Sequence, residues 1–210
     1  MINVITIDRE YGAGAAGIAR VIAERLGWKL WDQLLTDQIA RHLECASSQI
    51  QGREERRDPL YYRLLKSFLR GSFEGSLNAP RLKIADAEGI RRITEKLVRA
   101  AADEGDCVIV GRGSAYYLRD CPHAFHVFVY APFDEKVRRI ESEGRAGENA
   151  VELVDTVDLE RAAFIKQHFG LDWPARQLFH LMLNSTIGED NVARTVLDCV
   201  AEVNREPAHS

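Results

Sequence analysis

The sequence predicts an α/β fold: a parallel sheet of about five strands with helices on both faces. Three observations carry this expectation. Short apolar runs alternate with amphipathic runs along most of the 210 residues. A β-branched run, Ile2 to Ile7, enters a glycine-bearing turn and then an amphipathic run closed by Gly27. Two later runs, Cys107 to Val110 and Ala124 to Tyr130, read as strands buried on both sides, as parallel strands are.

In chain order, the first strand ends at Asp8 and the turn covers Arg9 to Gly17. The first helix runs from Ile18 to Leu26, and Trp28 to Trp31 forms a short segment ending at Asp32. Helical spacing returns from Leu34 to Cys45, with Leu35, Ile39, Ala40 and Leu43 on one face. Asp58-Pro59 opens another helix through Tyr61, Leu64, Leu65 and Phe68, because proline fits the first helical turn. Gly71 to Pro80 is a loop. A long helix spans about Ile84 to Glu104 and breaks at Gly105-Asp106. Beyond the two central apolar strands, Phe133 to Glu143 is helical, Leu181 to Leu183 is the last strand, and Glu189 to Val203 is the last helix. The first strand is expected at the centre of the sheet, because it is almost wholly apolar and both its sides need cover.

Composition narrows the function. Net charge is −4 and the pI is near 5.9, so a general nucleic-acid footprint is not expected. No apolar run approaches the ~18 residues of a membrane span. The N-terminus enters a strand at once and shows no secretory signal. Cys45, Cys107, Cys121 and Cys199 form no metal-ligand spacing, and reduced thiols fit the cytoplasm. Cys107 and Cys199 have apolar neighbours and read as core thiols.

In such sheets ligands bind beyond the carboxyl ends of the strands. Three polar turns fall there and should converge: Asp8 to Gly17, Gly111 to Ser114, and Asn184 to Gly188. In the first, Gly12, Gly14 and Gly17 let backbone N–H groups point at an anion, and the following helix adds its dipole. The usual signature is G-x-x-x-x-G-K-[ST]. Here Arg9 takes the place of the first glycine, Ala15 of the lysine and Ala16 of the hydroxyl residue. The plain alternative is a tight strand-to-helix turn that binds nothing. In the second turn, Arg112 either forks onto a phosphate or tethers a loop carboxylate. Further on, Lys136, Arg138, Arg139, Arg145, Arg161 and Lys166 form a basic segment. Interleaved acids make most of it read as a solvated face.

The order and spacing of these motifs resemble the cytidylate kinase-like family nearly end to end. Ile7 to Gly14, the helix Ile18 to Gly27 and Asp32 resemble the family's opening. Val108 to Gly113 resembles the strand and Gly-Arg turn that hold the acceptor nucleotide, and His126 to Pro132 the strand leading to the lid. Val157 to Arg161 resembles the lid's return helix, and Leu183 to Thr186 the last strand and its turn. The resemblance implies a P-loop NTPase-like fold and one nucleoside monophosphate kinase-like domain over residues 1–210. Within it, residues 46–85 would be an acceptor-binding subdomain and residues 139–170 a helical lid.

The implied reaction is phosphoryl transfer from ATP, carried with Mg²⁺, to CMP or a similar acceptor. Gly12, Ala13, Gly14, Ala15, Ala16 and Gly17 would cradle donor phosphates, Asp32 and Arg112 would hold the acceptor, and Arg161 and Arg145 would close over the transferring group. No protein metal ligand is assigned, and a homo-oligomer stays open. True cytidylate kinases carry lysine at the place of Ala15, threonine at that of Gly17 and aspartate at that of Gly113. Arg9, or Arg20 one turn on, would partly compensate for the missing charge. The alternative on the same fold is a non-catalytic nucleotide-binding or regulatory protein.

Overall fold

The computed structural model describes residues 1–32, 87–142 and 149–205. The helices expected at Leu34–Cys45 and from Asp58, the Gly71–Pro80 loop, the subdomain 46–85 and Arg145 lie outside the described residues.

Five strands form one sheet in the order β2-β3-β1-β4-β5. They are β1 (Val4–Arg9), β2 (Lys29–Trp31), β3 (Cys107–Val110), β4 (Ala124–Tyr130) and β5 (Leu181–Asn184). Every pairing is parallel. β1 is central, as its apolar sequence demands, and all its residues are buried. It runs to Arg9, one residue past the expected end at Asp8. The reason is the register with β4: Asp8 lies opposite Phe128 and Arg9 opposite Val129. The Glu10 N–H then donates to the Val129 carbonyl at 3.0 Å.

Alternation along β1 sends side chains to two cores. Ile5 and Ile7 pack with α1 (Ala15–Leu26), through Ile18, Ala19 and Ile22, and with Val192 and Val196 of the last helix. Val4 joins the opposite core, with Val98 and Ala101 of α2 (Ala87–Glu104). Burying each such aliphatic side chain contributes roughly 1.5–3 kcal/mol. Beside that second core, Phe128 packs with Tyr116 of α3 (Ser114–Tyr117) and with Phe164. Two helices follow β4: α4 (Phe133–Ser142) and α5 (Ala150–Phe169), the latter containing Phe164. The last helix, α6, is Glu189–Arg205.

Two elements differ from the sequence reading. α1 starts at Ala15, because Gly14 at φ 76° turns the chain directly into the helix. α5 extends far beyond the Val157 to Arg161 fragment. Its Asn149 side chain accepts the Glu152 N–H at 3.4 Å and so caps the helix start. Of the two core thiols expected, Cys107 is fully buried and Cys199 is half-buried. Burial pushes the Cys107 thiol up to about 12. No described helix is long and apolar enough to cross a membrane.

Candidate functional site

The three polar turns do converge. A Cβ on Gly111 would overlap the Arg9 guanidinium, so this arginine at the end of β1 lies across the turn after β3. Arg139 of α4 links the first turn to the third. Its Nη1 donates to Ser185 Oγ at 2.7 Å and lies 3.0 Å from where a Cβ on Gly14 would stand.

The first turn has the backbone of an anion cradle. Gly12 and Gly14 take φ values of 79° and 76°, a region closed to most side chains. Space enforces the same choice, since a Cβ on Gly12 would stand 2.9 Å from the Lys136 carbonyl. Ala13 and Ala15 are buried in the core formed with β1 and α6, while Ala16 is half-buried. At Gly17 a Cβ would overlap the Glu189 carboxylate, so this acid stands over the first turn of α1. Two arginines are the expected partial substitutes for the lysine. Arg9 is turned to Gly111, and Arg20 is exposed.

Cations from later in the chain reach the loop instead. Lys136 Nζ bonds Glu10 Oε2 at 3.0 Å and Asp158 Oδ2 at 3.4 Å. Arg161 Nη1 donates to the Arg9 carbonyl at 3.0 Å and to Asp158 Oδ1 at 3.3 Å. The Tyr11 N–H donates to Asp158 Oδ1 at 2.8 Å. Both cations are buried, which corrects the solvated-face reading for Lys136. Burial pushes the Asp158 carboxyl above its ordinary value, while Arg161, the Tyr11 amide and Lys136 hold it down.

The second turn concentrates charge in a small space. Gly111, Arg112 and Gly113 all have positive φ, and Arg112 pays for φ 59° without being glycine. Its side chain is 1% exposed. Burial and the neighbouring Arg9 lower its pKa to about 9, with Asp32 opposing and Arg161 adding to the effect. Asp32, at the end of β2, is itself buried. The adjacent Ser114 Oγ is buried with no hydrogen-bond partner among the described residues. Asp8 fastens this end of β1: Oδ1 accepts the Arg9 N–H at 3.0 Å and Oδ2 accepts Trp173 Nε1 at 3.3 Å.

The structure therefore brings together Gly12 to Gly17, Asp32, Arg112 and Arg161 at the carboxyl end of the sheet. Sequence reasoning missed Glu10, Asp158, Trp173 and Glu189, whose roles rest on contacts across long stretches of chain. Among the described residues no group of three or more His, Cys, Asp or Glu side chains is placed to hold a metal ion. At the other end of the sheet, a cleft of about 390 Å³ opens beside Ile2, Arg119, Phe125 and His180. It lies at the amino ends of the strands, away from all three turns.

The chain belongs to the cytidylate kinase-like family, whose model matches residues 4–187. No functionally curated protein matches it. Among solved structures it is similar to an uncharacterised protein from Eubacterium ventriosum, at 18% identity and TM-score 0.66, covering 96% of this chain and 99% of that one. It is also similar to a shikimate kinase from Acinetobacter baumannii solved with shikimate, at 15% identity and TM-score 0.53, covering 98% and 97%. A sugar kinase from Janibacter is similar at 14% identity and TM-score 0.51, covering 94% of each chain. These likenesses establish the fold, that of the P-loop kinases.

Proposed function

We propose that this member of the cytidylate kinase-like family binds a nucleoside triphosphate at the Gly12–Gly17 loop and transfers its terminal phosphoryl group to CMP or a similar phosphorylated acceptor. The observation that carries the reading is Arg112. A buried arginine in a strained left-handed conformation, crowded by Arg9, is poorly explained by stability alone. It is well explained as an anion receptor on a sheet of this kind. The Ser114 Oγ beside it, without a hydrogen-bond partner among the described residues, would supply a further polar contact for the acceptor.

The loop amides would hold the donor phosphates, with the α1 dipole behind them. Arg161 and Lys136 stand at the flank where charge accumulates during transfer. Phosphoryl transfer needs positioning and charge more than a base, and this site offers both. Mg²⁺ would arrive with the nucleotide and neutralise its phosphate oxygens. The residues fit such an ion, which keeps several waters and takes few protein ligands. Glu189, standing over Gly17, offers one hard oxygen at the right turn of α1. Residues 46–85 are proposed as the acceptor subdomain, residues 139–170 as the lid and the cytoplasm as the compartment.

The second reading, nucleotide binding without turnover, is favoured by one specific feature. Position 15 is an alanine buried in the core, so this position offers the phosphates no cation. A screen of ATP and Mg²⁺ with each nucleoside monophosphate, read as ADP release, separates the two. Slow, acceptor-dependent ADP release is expected. ATP binding with no release under any acceptor selects the second reading.

A further inference from the structure

One buried network ties the glycine-rich loop to α4 and α5, and Asp158 is its centre. Its Oδ1 accepts from the Tyr11 N–H at 2.8 Å and from Arg161 Nη1 at 3.3 Å. Its Oδ2 accepts from Lys136 Nζ at 3.4 Å. Glu10 backs the arrangement: its Oε2 accepts from Lys136 at 3.0 Å and from the Ala131 N–H at 3.3 Å. Arg161 also reaches the Arg9 carbonyl at 3.0 Å. A loop N–H, a lysine and an arginine thus meet on one carboxylate that is itself largely buried. This is the donor set that a phosphoryl oxygen takes in a phosphate site. In the structure the charge of those donors is met by an acid from the chain itself.

We propose that Asp158, supported by Glu10, is an internal anion that competes with phosphorylated ligands for Lys136, Arg161 and the Tyr11 amide, and so sets the affinity of the site. Entry of a phosphoryl group releases the carboxylate and takes over its donors. The apparent affinity is lowered by the fraction of molecules in which the carboxylate is in place. The inference rests on the loop being a phosphate site. A purely fastening role makes the opposite prediction, because loosening the network would then disorder the loop and weaken binding.

The test is calorimetric titration of inorganic pyrophosphate, and separately of ADP, into the natural protein and three variants. Thermal melts first establish that each variant is folded. Asp158→Asn keeps an oxygen for the Tyr11 N–H but removes the charge, and it should bind about tenfold more tightly. Glu10→Gln frees Lys136 from one acid and should tighten binding a few-fold. Lys136→Met should weaken binding about tenfold. Folded Asp158→Asn with unchanged or weaker affinity overturns the proposal. If that variant does not fold, Glu10→Gln decides alone, since it leaves the Tyr11 amide untouched. Equal binding by all four proteins sinks the competition but keeps the phosphate site. No binding by any folded variant removes the phosphate-site reading as well.

Discussion

The turn after β1 and the turn after β3 sit together at the carboxyl end of the sheet, and under the proposed function they divide the requirements of an anion site between them. The first keeps the backbone: Gly12 and Gly14 at positive φ, leading straight into α1. It offers no cation at position 15, which is an alanine packed in the core. The second keeps the cation, Arg112, and holds it in a conformation that an L-residue rarely adopts. Backbone cradle and charge are therefore separable within one site. The charge that the first turn lacks is brought to it by α4 and α5 through Lys136 and Arg161.

The sharpest way to break this contrast is to return the cation to the first turn. Ala15→Lys should raise ATP-plus-CMP turnover by up to about a hundredfold, on the order of 3 kcal/mol. The same change should lower the melting temperature, since the side chain enters at a buried position. Steady-state kinetics and a thermal melt on one sample test both statements. Unchanged turnover in the folded variant would mean that the charge Lys136 and Arg161 bring to the loop already suffices for transfer.

A smaller effect isolates the backbone of the second turn. Arg112→Gly and Arg112→Ala both remove the guanidinium, but only glycine is at ease at φ 59°. The glycine variant should be the more stable by about 1–2 kcal/mol, which corresponds to a few degrees in melting temperature. Equal melting temperatures would show that the turn relaxes and that Arg112 is not held under strain.

The sheet was legible in the sequence because it rests on local pattern. Cys107–Val110 and Ala124–Tyr130 match their strands to the residue, since short, predominantly apolar runs of this kind fit a parallel strand buried on both faces. Gly12 and Gly14 were legible as a turn for the same reason: few other residues accept positive φ. The flank of the site was not legible. Asp158 touches Tyr11 across 147 positions, and Glu10 touches Lys136 across 126. No spacing rule links residues so far apart. Lys136 was read as surface because α4 is densely charged, with Glu135 and Arg138 paired one turn apart in the expected way. α5 was seen only in part because apolar residues lie all around it, which hides the one-sided stripe that marks a surface helix.

A region far from both turns serves as a control, because its predicted effect is on stability alone. Thr6 Oγ1 and His126 Nδ1 are 2.7 Å apart, and the His126 N–H donates to His180 Nδ1 at 2.8 Å. Burial, with His180 beside it, lowers the His126 pKa from its ordinary 6.5 to about 4. The folded state thus binds a proton here less readily than the unfolded chain. This contribution to stability is complete above pH 6.5 and is lost as pH falls towards about 4. Melting temperatures should drop across that window, and His126→Gln should flatten the drop. A drop of the same size in that variant would place the pH response elsewhere.

The separation of cradle and charge is tested most directly by titrating ATP and CMP, each alone, into Gly14→Val and Arg112→Ala. Valine at position 14 is barred by φ 76° and by the Arg139 guanidinium beside it. Gly14→Val should therefore lose ATP binding and keep CMP binding. Arg112→Ala should lose CMP affinity, by about a hundredfold, and keep ATP. If either folded variant loses both ligands together, or neither, the two turns do not divide the work and the account is wrong.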